Sequence, residues 1–433
     1  MSIWSQAKGL AAQTPEDRNR YVDFLRAASI LVVITGHWLI AAVYFVDGEL
    51  ILKDMIAVQP GIQWMTWLFQ VMPIFFIVGG YANAVSLESS KRNNVAYADW
   101  LATRLNRLVT PLLALLVGWA IIASVLYFFG VSRDVIGLAS KAALIPIWFL
   151  AIYIMVVVLA PATYRVWKKW GFASLAALVA IGALVDVAFF AAGMKWMGWS
   201  SYFWVWLSVH HLGYAWRDGR LGSPVRLLGY SALGFAALYA LIVYGPYPLA
   251  MVGSPDRELS NTLPPKMTLF ALGVFQFGLL LAIEGPMRRV LSKLNVWTAT
   301  VLINSMIMTV YLWHLTVMIL VVSLLYLADG FGLRIDPGTQ GWWLTRPIWI
   351  GVLFAALIPV ALLFSPLERR TLPKGRSTPS AARLVSGAML ICLGVALLAF
   401  FGFGGAPVRW LSAGAFGLVI VGSWLSGLLH GYR

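Results

Sequence analysis

Long apolar runs recur along this chain, and their length is what most constrains its fold. A bilayer core needs about 20 consecutive apolar residues to be crossed by a helix. Runs of about that length lie near residues 24–46, 62–86, 108–129, 146–164, 172–192, 199–216, 227–246, 267–283, 297–328, 347–365, 384–401 and 410–430. They predict an all-α, polytopic transmembrane helical bundle of about 12 spans. The run 297–328 is too long for one upright span, so it either tilts or begins as an interfacial segment. Composition agrees: 61% of the 433 residues are hydrophobic and 11% are charged. A soluble domain carries about 25% charged residues, so this chain needs lipid as part of its solvent.

The first twenty residues have no apolar centre, so no cleavable signal peptide is expected and the first helix is expected to target the chain. The single cysteine, Cys392, allows no internal disulfide and no multi-cysteine metal site, and reads as a small core residue. No internal repeat is visible. The stretch PLERRTLPKGRSTPSAAR, residues 366–383, is polar, basic and proline-containing. Domain boundaries are therefore set at 1–370 for a membrane domain, 371–383 for a cytoplasmic linker, and 384–433 for two additional helices.

The net charge is +15. With the amino terminus placed in the cytoplasm, most Lys and Arg fall in the loops of that side, while the acids divide evenly. The positive-inside rule then puts both termini in the cytoplasm. Because the charge follows topology, a nucleic-acid partner is not expected. Membrane lipid or an anionic cytoplasmic ligand fits better.

Polar residues inside the spans carry the functional argument. In YVDFLRAASILVVITGHWLI, Arg26 and His37 are eleven residues apart. On a helix that spacing is about 20° past three turns, so both share one face, separated by about 16 Å along the axis. Asp23 is three residues before Arg26 on the same face. One reading is a basic mouth with a buried imidazole beyond it, near mid-membrane. The other is a snorkelling arginine and a histidine bonded to a neighbouring helix. Arg104 and Arg107 are one turn apart and can point at one ligand, or can serve only as topology anchors. His314 lies inside the ninth run. His210 and His211 are adjacent and 100° apart, so at most one is expected to face a cavity. No histidine spacing suggests shared metal ligation, and none is expected. His430 reads as interfacial. Asp186, Asn83, Gln70 and Asn304 are either path-lining groups or helix-packing contacts.

The segment Arg20–His37 resembles the opening helix of acyltransferase family 3, the bacterial membrane acyltransferases. Its signature is an Arg, ten residues, then a His, after a Leu-Asp-Gly-Leu-like segment. Here VDFLR departs from it, with Phe24 in place of the glycine. Further landmarks follow in order: QVMPIFFIVGGYAN at 70–83, RLNRLVTP at 104–111, IWFLAIYIM at 147–155 and YLWHLTVM at 311–318. The resemblance covers about residues 18–370. It implies a ten-helix catalytic core, with two further helices after it, in a bacterial plasma membrane.

It also implies transfer of an acyl group, commonly acetyl, from cytoplasmic acyl-CoA to a hydroxyl of a sugar, glycan or lipid-linked acceptor. Coenzyme A is a polyanion, and arginine presents a fork of donors suited to phosphate. Arg26, Arg104 and Arg107 are thus the expected acyl-CoA contacts, with Asp23 in support. His37 is the expected proton acceptor or acyl carrier, its ring neutral in an apolar setting. His314 matches the family's late histidine, with a catalytic role or a structural hydrogen bond both open. The rival class is a secondary transporter of a small or lipid-linked substrate. GYAWRDGRLG, residues 213–222, resembles a loop of such carriers, but it follows the sixth run and its Arg precedes the Asp. Oligomeric state and acceptor identity are not legible.

Overall fold

The computed structural model describes residues 3–16, 18–253, 259–370, 377–403 and 409–429. His430 and the first part of the expected linker, 371–376, lie outside the described residues. The chain is helical almost throughout. It opens with α1 (Ile3–Ala12) and α2 (Arg20–Ile40), then turns through a hairpin of β1 (Ala41–Val46) and β2 (Glu49–Asp54). Next come α3 (Met55–Val58), α4 (Ile62–Phe69), α5 (Met72–Arg92), α6 (Tyr97–Phe128), α7 (Arg133–Ala143) and α8 (Ile147–Trp170). After these lie α9 (Phe172–Phe190), α10 (Ser201–Arg217), α11 (Pro224–Tyr244), α12 (Thr268–Ala282) and α13 (Glu284–Leu291). The chain finishes with α14 (Leu294–Asn304), α15 (Ile307–Leu327), α16 (Gln340–Glu368), α17 (Ala381–Phe401) and α18 (Arg409–Leu425).

Among the described residues, nine helical segments are long and apolar enough to cross a membrane, with α4 and α5 taken as one. A tenth arises if α12 and α13, bent by 58°, form one span. The protein is therefore a multi-pass membrane protein. The other expected spans near 199–216 and 410–430 correspond to α10 and α18, each of 17 residues.

The first expected span is shorter than the apolar run suggests. Helix α2 stops at Ile40, and residues 41–46 pair as a strand with 49–54. The cause is local turn chemistry. Asp47 and Gly48 both take positive φ, 52° and 83°, as a tight hairpin turn demands. The hairpin's base packs Ala42 and Met55 against Trp342. Lys53 pairs with Asp336 at 2.8 Å, and Gln59 donates to the Gly338 carbonyl at 2.7 Å. The long ninth run is not one helix either. It breaks between α14 and α15, where the Glu368 carboxylate accepts from Met308 N at 3.1 Å and Thr309 N at 3.0 Å. Those N–H groups have no partner within α15, so an anion at its start stabilises a new helix.

The chain forms two compact units. The first comprises Met1–Ser86, Ala160–Asn304 and Ile335–Trp343. Its helices approach closely through small residues, as membrane helices do. Ser231 on α11 donates to the Phe275 carbonyl on α12 at 2.7 Å, and a Cβ on Gly278 would lie 2.6 Å from the Leu227 carbonyl oxygen. The second comprises Leu87–Leu159, Ser305–Arg334 and Leu344–Arg433. There α17 packs along α18 and contacts α6 and α7. Cys392 donates to the Ala151 carbonyl at 3.2 Å, and Ser140 donates to the Phe403 carbonyl at 3.0 Å.

Candidate active site

Helix α2 supplies the clearest line of candidate side chains in the first unit. Asn19 caps it by accepting from Tyr21 N at 3.1 Å. Asp23, 6% exposed, then holds two arginines: Arg18 at 2.7 Å and Arg26 at 3.1 Å. The Asp23 carbonyl accepts from Asn304 Nδ2 at 2.9 Å, fixing α2 to α14. Tyr21 donates to the Leu280 carbonyl, and Arg20 donates to the Leu291 carbonyl while lying over the Trp297 ring. The start of α2 is therefore pinned on several sides, and Arg26 is held in place by a buried carboxylate. A guanidinium has five N–H donors; the Asp23 contact uses Nη1 of Arg26.

The helix runs unbroken from Arg26 to His37, so their shared face and separation of about 16 Å survive in the structure. His37 occupies the last turn, where its carbonyl accepts from Ala41 N–H. Relative to the sequence reading, the imidazole belongs to the far end of its helix rather than to the middle of a longer one. The residue as a whole is half-buried, and the ground beside neighbouring Gly36 is open: a Cβ there would meet nothing within 4 Å.

Helix α10 places its two histidines apart. His210 is fully buried, with Nε2 3.1 Å from Asn83 Nδ2 on α5. His211 Nδ1 lies 2.8 Å from the Leu207 carbonyl, and its ring faces α8 and α9. The α5–α10 crossing is held close by Gly80 and Gly213. A Cβ on Gly213 would fall 2.8 Å from Gly80 Cα and 2.6 Å from Tyr81 N.

In the second unit, Arg104 and Arg107 lie one turn apart on α6. Arg104 sits over the Trp100 ring at 5.7 Å, and Arg107 is exposed and close enough to act on the Glu368 charge. Between them, Asn106 donates to the Arg370 carbonyl at 3.0 Å. His314 on α15 is fully buried, and its Nδ1 donates to the Tyr311 carbonyl at 2.5 Å. Trp119 on α6 donates to Thr316 at 2.9 Å, and Trp313 stacks on Phe364 at 4.2 Å. Of the six residues expected to form the site, Asp23, Arg26 and His37 thus share one helix in the first unit. Arg104, Arg107 and His314 belong to the second.

Other polar residues resolve into packing roles. Gln70 donates to the Met251 carbonyl at 3.0 Å. Asp186 accepts from Met267 N at 2.8 Å and from Tyr247 at 3.1 Å, tying the segment after α11 to α9. Beside it Lys266, 1% exposed, lies over the Phe189 ring at 3.8 Å. Burial pulls its amine down to about 8; Asp186 opposes that and Lys195 reinforces it. Lys266, the Glu368 cap and the pairing of Asn83 with His210 were not anticipated from sequence. Among the described residues, no three of His, Cys, Asp or Glu converge as metal ligands would.

Comparison with known proteins gives one match. A family model described as an acyltransferase domain aligns with residues 19–365, from the N-cap of α2 almost to the end of α16. No curated protein and no solved structure matches the chain.

Proposed function

The chain belongs to the acyltransferase 3 family, and on that premise we propose that it moves an acetyl group from cytoplasmic acetyl-CoA to a hydroxyl of a sugar, glycan or lipid-linked acceptor. That it is a membrane acyltransferase follows from the family and the apolar spans. The donor, the acceptor and the plasma-membrane setting are the proposal.

One observation carries it. A single rigid helix holds a guanidinium fixed by a buried carboxylate and, about 16 Å further along the same face, an imidazole. Phosphate groups would meet Arg26, whose planar fork suits them. The pantetheine arm would extend along the helix toward His37. There a neutral imidazole takes the acceptor's hydroxyl proton as the oxygen attacks the thioester carbonyl. The C–S bond breaks, and the departing thiolate recovers the proton from the imidazolium. If the imidazole itself first takes the acyl group, the same separation applies, because the ring must still reach the thioester. Asp23 acts through Arg26, aiming it and offsetting part of the positive charge. Arg104 and Arg107 on α6 and His314 on α15 belong to the second unit, and the family resemblance makes them a candidate pair of acyl-CoA contacts and a candidate catalytic histidine there.

The test is direct. Purified protein in lipid vesicles, given acetyl-CoA and a hydroxylated envelope fraction, should release free CoA and yield an acetyl ester. No turnover across a panel of acyl-CoA donors and acceptors would overturn the donor assignment. Arg26→Ala should weaken acetyl-CoA binding about tenfold or more, since a hydrogen bond to a charged group contributes about 1.5–3 kcal/mol. Arg26→Lys should restore part of it. Equal affinity in all three proteins would leave Arg26 as a helix anchor only.

A further inference from the structure

The turn between α8 and α9 joins an apolar groove to a group of cations. The groove, about 530 Å³, lies between the last turns of α8 and the first half of α9. Val166, Trp170 and Ala177 on its flanks are exposed residues of membrane-spanning helices, so it opens sideways toward lipid. Its volume is within the range of small-molecule sites, about 300–1,000 Å³. Among the described residues, no Lys, Arg, Asp or Glu lines it.

The cations stand where its two walls meet. Gly171 makes that turn at a φ of 53°, and a Cβ on it would fall 2.8 Å from Nη1 of Arg220. Arg220 comes from the loop after α10, in GYAWRDGRLG, and Asp218 of the same loop steadies it. The Asp218 carboxylate accepts from Lys168 at 2.8 Å and from Trp167 at 3.0 Å, and lies 3.8 Å from Arg220 Nε. Arg220 also lies over the Trp167 ring at 5.6 Å. Lys169 follows Val166 by three residues on α8, so the two are neighbours on the helix surface. Its ammonium rests 5.0 Å from the centroid of Trp170, a groove wall. Lys168 balances the charge of Asp218, which leaves Arg220 and Lys169 in excess. Both reach solvent: Lys169 is exposed, and the Arg220 side chain keeps 46% of its surface.

We propose that this is a site for one anionic phospholipid, with an acyl chain in the groove and the headgroup phosphate between Arg220 and Lys169. An apolar slot that ends in two exposed cations complements a hydrocarbon chain that ends in an anion. The guanidinium fork suits phosphate, and basic pockets between membrane helices hold acidic headgroups. A zwitterionic lipid would fill the groove equally well but would bring its own ammonium against Arg220 and Lys169. The GYAWRDGRLG loop thereby gains a role, which is to hold Arg220 on the Gly171 turn. The site uses none of Asp23, Arg26 and His37, and does not rest on the acyl-transfer reading.

The test uses the full-length protein in phosphatidylcholine nanodiscs. They carry a trace of phosphatidylglycerol with a diazirine on its acyl chain, or the matching phosphatidylcholine probe. Each basic residue near an acidic headgroup is worth roughly fivefold in affinity. The phosphatidylglycerol probe should therefore label peptides around Val166 and Ala177 about fivefold or more above the phosphatidylcholine probe. Excess unlabelled phosphatidylglycerol should compete. Lys169→Gln combined with Arg220→Gln should bring the acidic probe down to the level of the other, and Ala177→Trp should suppress labelling by both. Equal labelling by the two probes in the wild type would overturn the proposal even if a variant failed to fold. So would a preference that persists in the double variant, or one equally large at exposed α11 residues such as Leu233. Displacement by coenzyme A at matched ionic strength would assign the cations to a soluble phosphate, and would overturn it too.

Discussion

Replacing Gly213 by alanine puts the structure under a sharp demand. The new Cβ would fall 2.6 Å from Tyr81 N and 2.8 Å from Gly80 Cα, and closer still to the Ile77 carbonyl oxygen. All three are backbone atoms, so no side chain can swing aside. Ordinary contact between carbon atoms is about 3.5–4.0 Å, so α5 and α10 must part by roughly 1 Å. Overpacking of this kind costs about 1–3 kcal/mol. The same displacement would stretch the 3.1 Å contact between Asn83 and His210 beyond hydrogen-bonding range. Both groups are fully buried, so stranding them costs about another 1–3 kcal/mol. Against a typical total of about 5–15 kcal/mol, this is a large loss. The assay is thermal unfolding of purified protein in detergent, with Gly229→Ala as control. Gly229 lies on α11, where a Cβ would meet nothing within 4 Å, so alanine there should be neutral or stabilise by about 0.5–1 kcal/mol. Gly213→Ala melting with the wild type would refute the close crossing.

Lys266 should give a pH-dependent stability of defined sign. Its amine is held at about 8, below its ordinary value near 10.5, so only the unfolded chain keeps the proton between those values and stability should rise with pH across that window. Comparing melting of wild type and Lys266→Met from about pH 7 to about pH 9.5 should show the rise in the wild type alone; parallel curves would contradict it. Glu368→Gln should cost about 0.5–2 kcal/mol, because the anion at the start of α15 is lost while an acceptor remains, and Glu368→Ala should cost more. Unfolding of the two variants at matched expression checks the order, and equal melting of both with the wild type would remove the capping role.

Much of the frame was legible because apolar run length and helical phase are direct consequences of bilayer thickness and α-helix geometry. Arg26 and His37 could be placed on one face from their spacing, since nothing in the intervening sequence breaks a helix, and α2 is continuous across it. In the landmark QVMPIFFIVGGYAN, Gly80 has a physical reason in its close approach to α10. The end of α2 was misread because AAVYFV is equally apolar as helix or strand, and hydropathy does not tell them apart. The Asp47–Gly48 pair was the available signal. The break before α15 was harder to see, because its stabilising carboxylate, Glu368, is some sixty residues away in the chain. The neighbouring histidines parted as the 100° step between adjacent helical residues requires, but which partner each meets is a tertiary fact.

The central claim is that α2 carries the chemistry, and one comparison tests it most directly. Wild type and His37→Ala, purified and reconstituted at equal density, should be assayed for acetyl transfer to acceptor and for acetyl-CoA binding. The account predicts that transfer by His37→Ala falls by about 10²–10⁴-fold while donor affinity and melting temperature stay within the wild-type range. Transfer by His37→Ala at close to the wild-type rate would contradict it.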